Sequence, residues 1–411
     1  MYDIKEEEEK VILIGVSTQS DNDTLESLDE LEELVETAGA VTVAKIVQNR
    51  EKIHNTTYIG KGKIEEVARL LTELDATGIV CDDELTPVQI KNLEDALDTK
   101  IMDRTLVILD IFAKRAVTSE GKIQVELAQL KYRATRLIGL GHVMSRLGGG
   151  IGTRGPGEKK LEKDRRLINE RIAQLRHEVV EVKNHRELVR KQREKKPTPV
   201  VAIVGYTNAG KSTLLNALTE SSVLEEDKLF ATLDPTTRNL KLSSGQEIML
   251  TDTVGFIRKL PHHLIDAFRS TLEEAKYADL ILHVVDSSSP HMDTHIHVVY
   301  ETLDNLGVKD KKIITLFHKQ DKLEDETILK DLRADYIVNT SVKTGQGLEQ
   351  LLEMIEKVLR ENNILIQKLY HFSEAGKIGL IRKYGQLQIE EYRDDGIYVK
   401  AYIPAELEGR V

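Results

Sequence analysis

The chain has 411 residues, enough for two to four domains with ample core, and a formal net charge of −11, so bulk attraction to nucleic acid is not expected. Its one cysteine, Cys81, excludes an internal disulfide and fits a reducing cytoplasm. No apolar run approaches the roughly 20 residues of a spanning helix, and the acidic start MYDIKEEEEK is unlike a signal peptide, so a cytoplasmic protein without membrane association is expected.

Residues 11–16 (VILIGV), 41–48 (VTVAKIVQ) and 77–81 (TGIVC) predict strands, with helical patterns at 24–38, 61–74 and 86–97. A short strand near Lys100 and a helix near 105–116 complete the pattern. Strands alternating with helices predict a parallel sheet in an α/β domain over residues 1–118.

The next segment changes period. Ile123, Leu127, Leu130, Ala134 and Leu137 are spaced 4, 3, 4, 3, and Ile168, Ile172, Leu175, Val179 and Val182 repeat the spacing, with Val189 one heptad later. Two heptad seams predict an antiparallel helical hairpin over 119–197. Arg186 interrupts the second seam, and GGGIGTRGPGE (Gly148–Glu158) forms a glycine-rich tip. Residues 131–166 hold ten Lys/Arg against three acids, a local charge of +7 on a remainder of −18. A basic tip on an acidic body points to a directed contact with phosphate backbone, the alternative being a solvated charged face.

KPTP (Lys196–Pro199) breaks the helix and opens a third domain, 198–362. PVVAIV predicts a buried strand, GYTNAGKS (Gly205–Ser212) matches G-x-x-x-x-G-K-[ST], and Thr213–Thr219 favour a helix. In that setting backbone N–H groups and a helix dipole meet at one anion site. Lys211 can reach the β- and γ-phosphates and the Ser212 hydroxyl can ligate Mg²⁺. DTVG (Asp252–Gly255) follows the EIMLT strand, offering an acid for a Mg²⁺-bound water and a glycine amide for a γ-phosphate. FATLDPTTR (Phe230–Arg238) lies between the two motifs and offers threonines that can close over the metal. HKQD (His318–Asp321) follows a strand near 312–317, and the Asp321 carboxylate can accept from N1–H and N2–H₂ of guanine, a donor pair adenine lacks. TSVKTG (Thr340–Gly345) can back the base with main-chain N–H groups. Residues 363–411 predict a small α+β appendix with a hairpin turn at DDG (Asp394–Gly396).

The order and spacing of these motifs resemble a translation-factor-class P-loop GTPase domain. TYIGKGK (Thr57–Lys63), DDELTPVQIKNLE (Asp82–Glu94), DRTLVILDIFAKRA (Asp103–Ala116), EGKIQVELAQLKY (Glu120–Tyr132) and the glycine-rich tip look like the HflX family of ribosome-associated GTPases, over about residues 11–360. The resemblance implies a GTP/GDP site of Gly205, Tyr206, Thr207, Asn208, Ala209, Gly210, Lys211, Ser212, Thr213, Thr232, Asp252, Gly255, His318, Lys319, Asp321, Ser341, Val342 and Lys343. Within it Ser212, Thr232 and Asp252 would serve Mg²⁺, and Lys211, Thr232 and Gly255 the reaction. Thr232 is preferred to Thr236 and Thr237 because FATL resembles the second motif of the related Obg group, and Asn208 matches an asparagine that coordinates K⁺ in some relatives. The implied partner is the large ribosomal subunit and its rRNA, met by Arg154, Lys159, Lys160, Lys163 and the Gly148–Gly157 loop of a protein that is monomeric when free. The implied function is to bind that subunit in the GTP state and help split stalled or idle ribosomes.

Departures from the family pattern carry expectations of their own. His318 stands where the family has asparagine, and predicts weaker guanine affinity. KKLEK (Lys159–Lys163) replaces a threonine-glutamine pair, and no tryptophan lies near His142. Phe256 follows DTVG where many GTPases carry a water-orienting glutamine, and Arg238 and Arg258 read as surface or switch residues. Slow intrinsic hydrolysis completed by a partner is therefore expected. Two other readings stay open: an RNA-binding switch with little turnover, and a second, ATP-binding site in the N-terminal domain. For the latter, GKGK (Gly60–Lys63) lacks the phosphate-loop pattern, and a structural contact is the simpler reading.

Overall fold

Strand β1 (Lys10–Ser17), KVILIGVS, is buried along nearly its whole length, as a central parallel strand must be. The computed structural model describes residues 8–18, 23–147, 156–193, 198–219, 229–230, 233, 235–260, 274–323, 329–361 and 363–411. They cluster in two units, Met1–Val182 with Arg258–Phe268, and Lys183–Ile257 with Arg269–Val411.

In the first unit β1 joins β2 (Val41–Asn49), β3 (Gly78–Cys81) and β4 (Lys100–Asp103) in a parallel sheet of order β2-β1-β3-β4. Crossovers are α1 (Asp23–Ala38), α2 (Lys61–Glu73) and α3 (Pro87–Leu97), and α4 (Arg104–Arg115) follows β4 and packs on α1. Ile12, Ile14, Ile46, Ile79 and Ile101 join Val67 and Leu93 in one apolar layer. Sequence sets the helix starts locally. Thr86 and Gln89 form a reciprocal capping box with Pro87 at the first position of α3. Asp103 caps α4 by accepting from the Leu106 N–H.

The carboxyl ends of these strands are closed by ion pairs. Arg104, 1% exposed, donates to Asp82 Oδ1 at 2.9 Å and also meets Glu30. Burial works against the Asp82 carboxylate, but Arg104 and Lys259 hold its pKa below the usual value. Arg258 and Lys259 cluster with this unit: Arg258 pairs with Glu26 at 2.7 Å, and Lys259 with Asp83 at 3.1 Å and with Asp82. Asp103 takes Tyr132 Oη at 2.6 Å and Arg136 at 2.7 Å.

Helices α5 (Ser119–Leu147) and α6 (Pro156–Arg193) pack along the heptad seam: Leu127, Ile172 and Leu175 are buried, with Ile123, Leu130, Ala134, Ile168 and Val179 against them. Arg171 forks onto Glu126 at 2.8 and 2.9 Å beside the seam. Residues 148–155 of the tip, with Arg154, lie outside the described residues, and Pro156 to Glu158 open α6.

The second unit holds β5 (Val200–Gly205), β6 (Thr236–Lys241), β7 (Glu247–Asp252), β8 (Leu280–Asp286), β9 (Lys312–His318) and β10 (Tyr336–Asn339) in the order β10-β9-β8-β5-β7-β6. Only β6 is antiparallel among them. Helices α7 (Lys211–Thr219), α8 (Met292–Asn305) and α9 (Leu348–Glu361) accompany the sheet, and Val201, Ile203, Leu214, Leu250, Leu282 and Leu316 lie in its core. Thr236 and Thr237 begin edge strand β6 and are not loop residues; TTRNLK is mostly exposed and polar, so it sends no apolar signal.

The appendix is a three-stranded antiparallel sheet, β11 (Ile364–Tyr370), β12 (Gln386–Arg393) and β13 (Gly396–Ile403), of order β11-β13-β12, with α10 (Ala375–Tyr384). Asp394 and Asp395 form the turn between β12 and β13. Fully buried Gln386 ties this sheet to its neighbours: it donates to Gln246 Oε1 at 3.0 Å and Glu356 O at 2.8 Å, and accepts from Arg360 at 2.9 Å. No helix among the described residues is long and apolar enough to cross a membrane.

Candidate functional site

β5 lies between β8 and β7 and ends at Gly205; the turn 206–210 follows, and α7 begins at Lys211. A strand end feeding a helix N-terminus points N–H groups at one spot beyond the carboxyl edge of the sheet. Glycine is required at both ends of the turn. A Cβ on Gly205 would lie 2.3 Å from Val284 O, and one on Gly210, at φ +96°, 2.6 Å from the His318 ring. Asn208 also takes a left-handed φ of +59°, which asparagine tolerates better than most residues.

Lys211 is 7% exposed, and its Nζ donates to Tyr206 O at 2.7 Å, inside the loop it closes. Burial pushes its pKa down to about 8, with Asp252 opposing the shift and Lys319 adding to it. Ser212 Oγ donates to Asp252 Oδ2 at 2.7 Å, and Asp252 is fully buried at the end of β7. Two oxygen donors held together beside a phosphate cradle suit a hard divalent cation. Thr213, the next residue of α7, is half-buried. The Thr207 hydroxyl is buried without a partner among the described residues, a polar group that a bound oxygen would satisfy.

The chain after β7 lies on the phosphate loop. Thr207 N–H donates to Phe256 O at 2.8 Å, and Phe256 N–H donates to Gly205 O at 3.1 Å. Any Cβ on Gly255 would sit 2.8 Å from Thr207 Cα and 3.0 Å from Lys211 Nζ, so that close approach needs glycine. Phe256 itself is buried.

The second loop cluster comes from the ends of β9 and β10. His318 is 3% exposed, and its Nδ1 lies 3.0 Å from Thr340 Oγ1. Lys319, at φ +60°, sends its Nζ to Asn208 O at 2.8 Å and Asp286 Oδ2 at 2.7 Å, joining this cluster to the phosphate loop. Ser341 Oγ donates to Asp321 Oδ1 at 2.6 Å; that bond holds the Asp321 carboxyl below its usual pKa. Lys343 Nζ stands 3.8 Å from the same carboxylate. The Ser341 N–H is engaged by Gln346 O at 3.0 Å, and Val342 packs partly against the core.

The structure thus brings Gly205–Thr213, Asp252, Gly255, His318, Lys319, Asp321 and Ser341–Lys343 to one edge of the second sheet. Thr232 lies outside the described residues. Lys159 and Lys160 lie on α6 with their side chains outside the description, and Lys163 is exposed. Sequence reasoning passed over Asp286, the acid that positions Lys319, although VVD at a parallel strand end was a signal. It named Thr340 only as the start of a motif offering main-chain N–H groups, and passed over its hydroxyl.

Family descriptions "GTP-binding GTPase N-terminal", "GTP-binding GTPase Middle Region" and "50S ribosome-binding GTPase" match residues 25–113, 115–193 and 200–319. A "GTPase HflX" of Lacrimispora saccharolytica is 65% identical over 99% of this chain and 96% of its own. One from Caldanaerobacter subterraneus subsp. tengcongensis is 49% identical over 100% of this chain and 95% of its own. A GTP-binding protein from Sulfolobus solfataricus, solved in complex with GDP, is 25% identical with a TM-score of 0.45, covering 86% of this chain and 99% of its own. With matches of that identity over its whole length, the chain belongs to the HflX family of GTPases.

Proposed function

We propose that this GTPase is Mg²⁺-dependent, binds the large ribosomal subunit in its GTP state, and helps separate stalled or idle ribosomes, with hydrolysis permitting release. The observation that carries the reading is the match of residues 200–319 to a ribosome-binding GTPase family, on a chain whose sequence also predicts a basic glycine-rich hairpin tip. We take the chain as four parts, 1–118, 119–197, 198–362 and 363–411, acting in the cytoplasm as a monomer when free.

In this reading N–H groups of 206–210 cradle the phosphates, and the Lys211 ammonium turns from Tyr206 O to the β- and γ-phosphate oxygens. Ser212, Asp252 and Thr232 would hold Mg²⁺, which supplies charge neutralisation on the phosphates. The Gly255 N–H meets the γ-phosphate once the Phe256 backbone lets go of Gly205 and Thr207. Phe256 brings no polar atom to the attacking water, so intrinsic hydrolysis is slow and a partner completes catalysis. Asn208, exposed at the loop's surface, supplies a K⁺ ligand, and exchanging K⁺ for Na⁺ slows turnover; equal rates in both salts remove it from the mechanism.

Helix α6 has 38 residues, about 57 Å at 1.5 Å per residue, a rod long enough to carry a slim tip into an RNA-lined cavity. Arg154, Lys159, Lys160 and Lys163 would contact phosphates, with glycines permitting close approach. The test is co-sedimentation with ribosomal subunits in a non-hydrolysable GTP analogue, GDP or no nucleotide. Binding to the large subunit should be strongest in the analogue. Changing the four basic residues to alanine should weaken it and flatten its salt dependence. Parental binding and splitting by that variant across a salt series would reduce the hairpin to a spacer.

A further inference from the structure

The departure at His318 has a partner that makes chemical sense of it. Thr340 is fully buried, and both of its backbone groups are engaged: its N–H with Phe317 O at 2.9 Å, its carbonyl with Gln320 N–H at 3.3 Å. Its hydroxyl has one partner among the described residues, His318 Nδ1 at 3.0 Å. A buried hydroxyl proton needs an acceptor. If Nδ1 carried a proton and donated to Thr340 Oγ1, the hydroxyl proton would have none. If Thr340 donates, both groups are satisfied, and the ring's other nitrogen, Nε2, carries the ring proton.

The ring stays neutral in this setting. Burial lowers its pKa below the ordinary histidine value, and the Lys319 ammonium adds to that, while Asp286 and Asp321 oppose. The Nε2 side faces the phosphate loop: a Cβ at Gly210 would stand 3.0 Å from Nε2 and 2.6 Å from Cδ2. Nε2 has no protein hydrogen-bond partner among the described residues. A donor set at the edge of the cradle, without a partner there, is poised for a ligand acceptor.

We propose that Thr340 is a positioning residue for base recognition: by donating to His318 Nδ1 it fixes the Nε2–H tautomer, so that His318 gives a hydrogen bond to a purine edge bearing acceptors. This rests on the reading of Asp321 as the base-recognising carboxylate. A purine whose N1–H and N2–H₂ meet Asp321 presents O6 and N7 along its other edge. In guanine both are acceptors, complementary to one N–H donor. Adenine places an amine donor at position 6, which opposes the Nε2–H. Asparagine's amide carries its own donor and acceptor, whereas a histidine shows a donor on one nitrogen only if the other is held as acceptor. Thr340 supplies that hold, so the substitution at 318 functions only as a pair.

The experiment measures affinities for GDP, 7-deaza-GDP (no N7 acceptor) and 6-thio-GDP (a weaker acceptor at position 6, with N1–H and N2–H₂ kept), with ¹⁵N-histidine spectra of the full chain assigned by the H318N variant. Wild type should show Nε2 as the protonated ring nitrogen and lose about three- to tenfold on at least one analogue, the worth of one hydrogen bond. Thr340→Val, which keeps the shape, should mix the tautomers and shrink that preference; Thr340→Ser should restore both. The inference is overturned if Nδ1 carries the proton, if both analogues bind wild type as GDP does, or if Thr340→Val leaves spectrum and preference unchanged. D321N separates the two levels. If it shifts affinity from guanosine to xanthosine diphosphate while the analogues bind as GDP does, only the Thr340–His318 inference fails. If it leaves GDP affinity unchanged, the base-site reading itself fails.

Discussion

GYTNAGKS (Gly205–Ser212) and GKGK (Gly60–Lys63) both put glycines and lysine at the start of a helix, and the chain uses them differently. The first leaves the end of a central strand directly, its glycines are forced by neighbouring atoms, and its lysine folds back over the turn. The second follows an irregular stretch beyond Asn49, and its Gly60 N–H is already taken by Gln48 Oε1 at 2.9 Å. Gly62 has no atom near a would-be Cβ, and Lys63 is occupied by Glu66 at 2.8 Å. The same contrast holds at the sheets' carboxyl edges. In the second sheet that edge keeps a donor-lined turn for an anion. In the first it is filled by Arg104, Asp82, Glu30 and Asp103 bonded to the protein's own groups. What makes a phosphate site is therefore a glycine turn that leaves a central strand straight into a helix N-terminus, more than the residue types themselves.

The sharpest way to break that contrast is to remove the side chains that serve the second sheet's loop. Lys211→Ala should weaken GTP and GDP binding on the order of 10³-fold, about 4 kcal/mol. Asp321→Asn should weaken both by a similar factor, while xanthosine nucleotides gain, because the amide offers xanthine the complementary donor. Fluorescent-nucleotide titrations read both. Unchanged GDP affinity in Asp321→Asn removes that residue from the base site.

A smaller effect is expected from opening the first sheet's edge. Arg104→Ala leaves Asp82 and Glu30 without their shared guanidinium inside the fold, and should cost about 3 kcal/mol of stability in that unit. Urea unfolding followed by probes in each unit would show the first transition moving and the second holding. If Arg104→Ala and Arg104→Met both unfold at the wild-type midpoint, the network is dispensable and the edge is not closed by it.

Protonation of Lys211 grades the second site more gently. Its pKa in the free protein lies near 8, lowered by burial. Phosphate requires the ammonium form, which is present below that value and lost as pH rises through it. GDP affinity should thus be flat from pH 6.5 to 7.5 and fall up to tenfold by pH 9, by linkage of binding to one proton. Flat affinity up to pH 9 would mean that the lysine is not desolvated as its burial implies.

How legible these regions were follows from the kind of signal each sends. The phosphate loop, the first sheet's strands and the α5–α6 seam were readable because local pattern and tertiary role coincide: β1 is apolar from Val11 to Val16, and Leu127, Ile172 and Leu175 keep heptad spacing. β6 was not, because TTRNLK is a mostly exposed, polar edge in which Leu240 alone packs on the core. Gln386, Gln246 and Glu356 were not, because polar residues in a buried cluster look in sequence like surface. Asp286 and Thr340 act through Lys319 and His318, and such pairings arise only when separate strand ends meet.

The smallest expected effect tests the other half of the contrast. The paired change Lys61→Ala and Lys63→Ala should leave GTP affinity and turnover within about twofold, and should remove no ATP hydrolysis that the wild type shows. The reason is geometric. A phosphate approaching α2 would meet a Gly60 N–H already bonded to Gln48 and an Arg50 guanidinium packed where a Gly60 side chain would stand, 2.6 Å from a would-be Cβ. Lys63 would have to leave Glu66, an exchange of one partly exposed pair for another that gains little. Loss of an ATP-dependent activity in this variant, with Lys211→Ala retaining it, would place a second nucleotide site on the first sheet. Loss in Lys211→Ala alone would assign all nucleotide chemistry to the loop that leaves β5 directly.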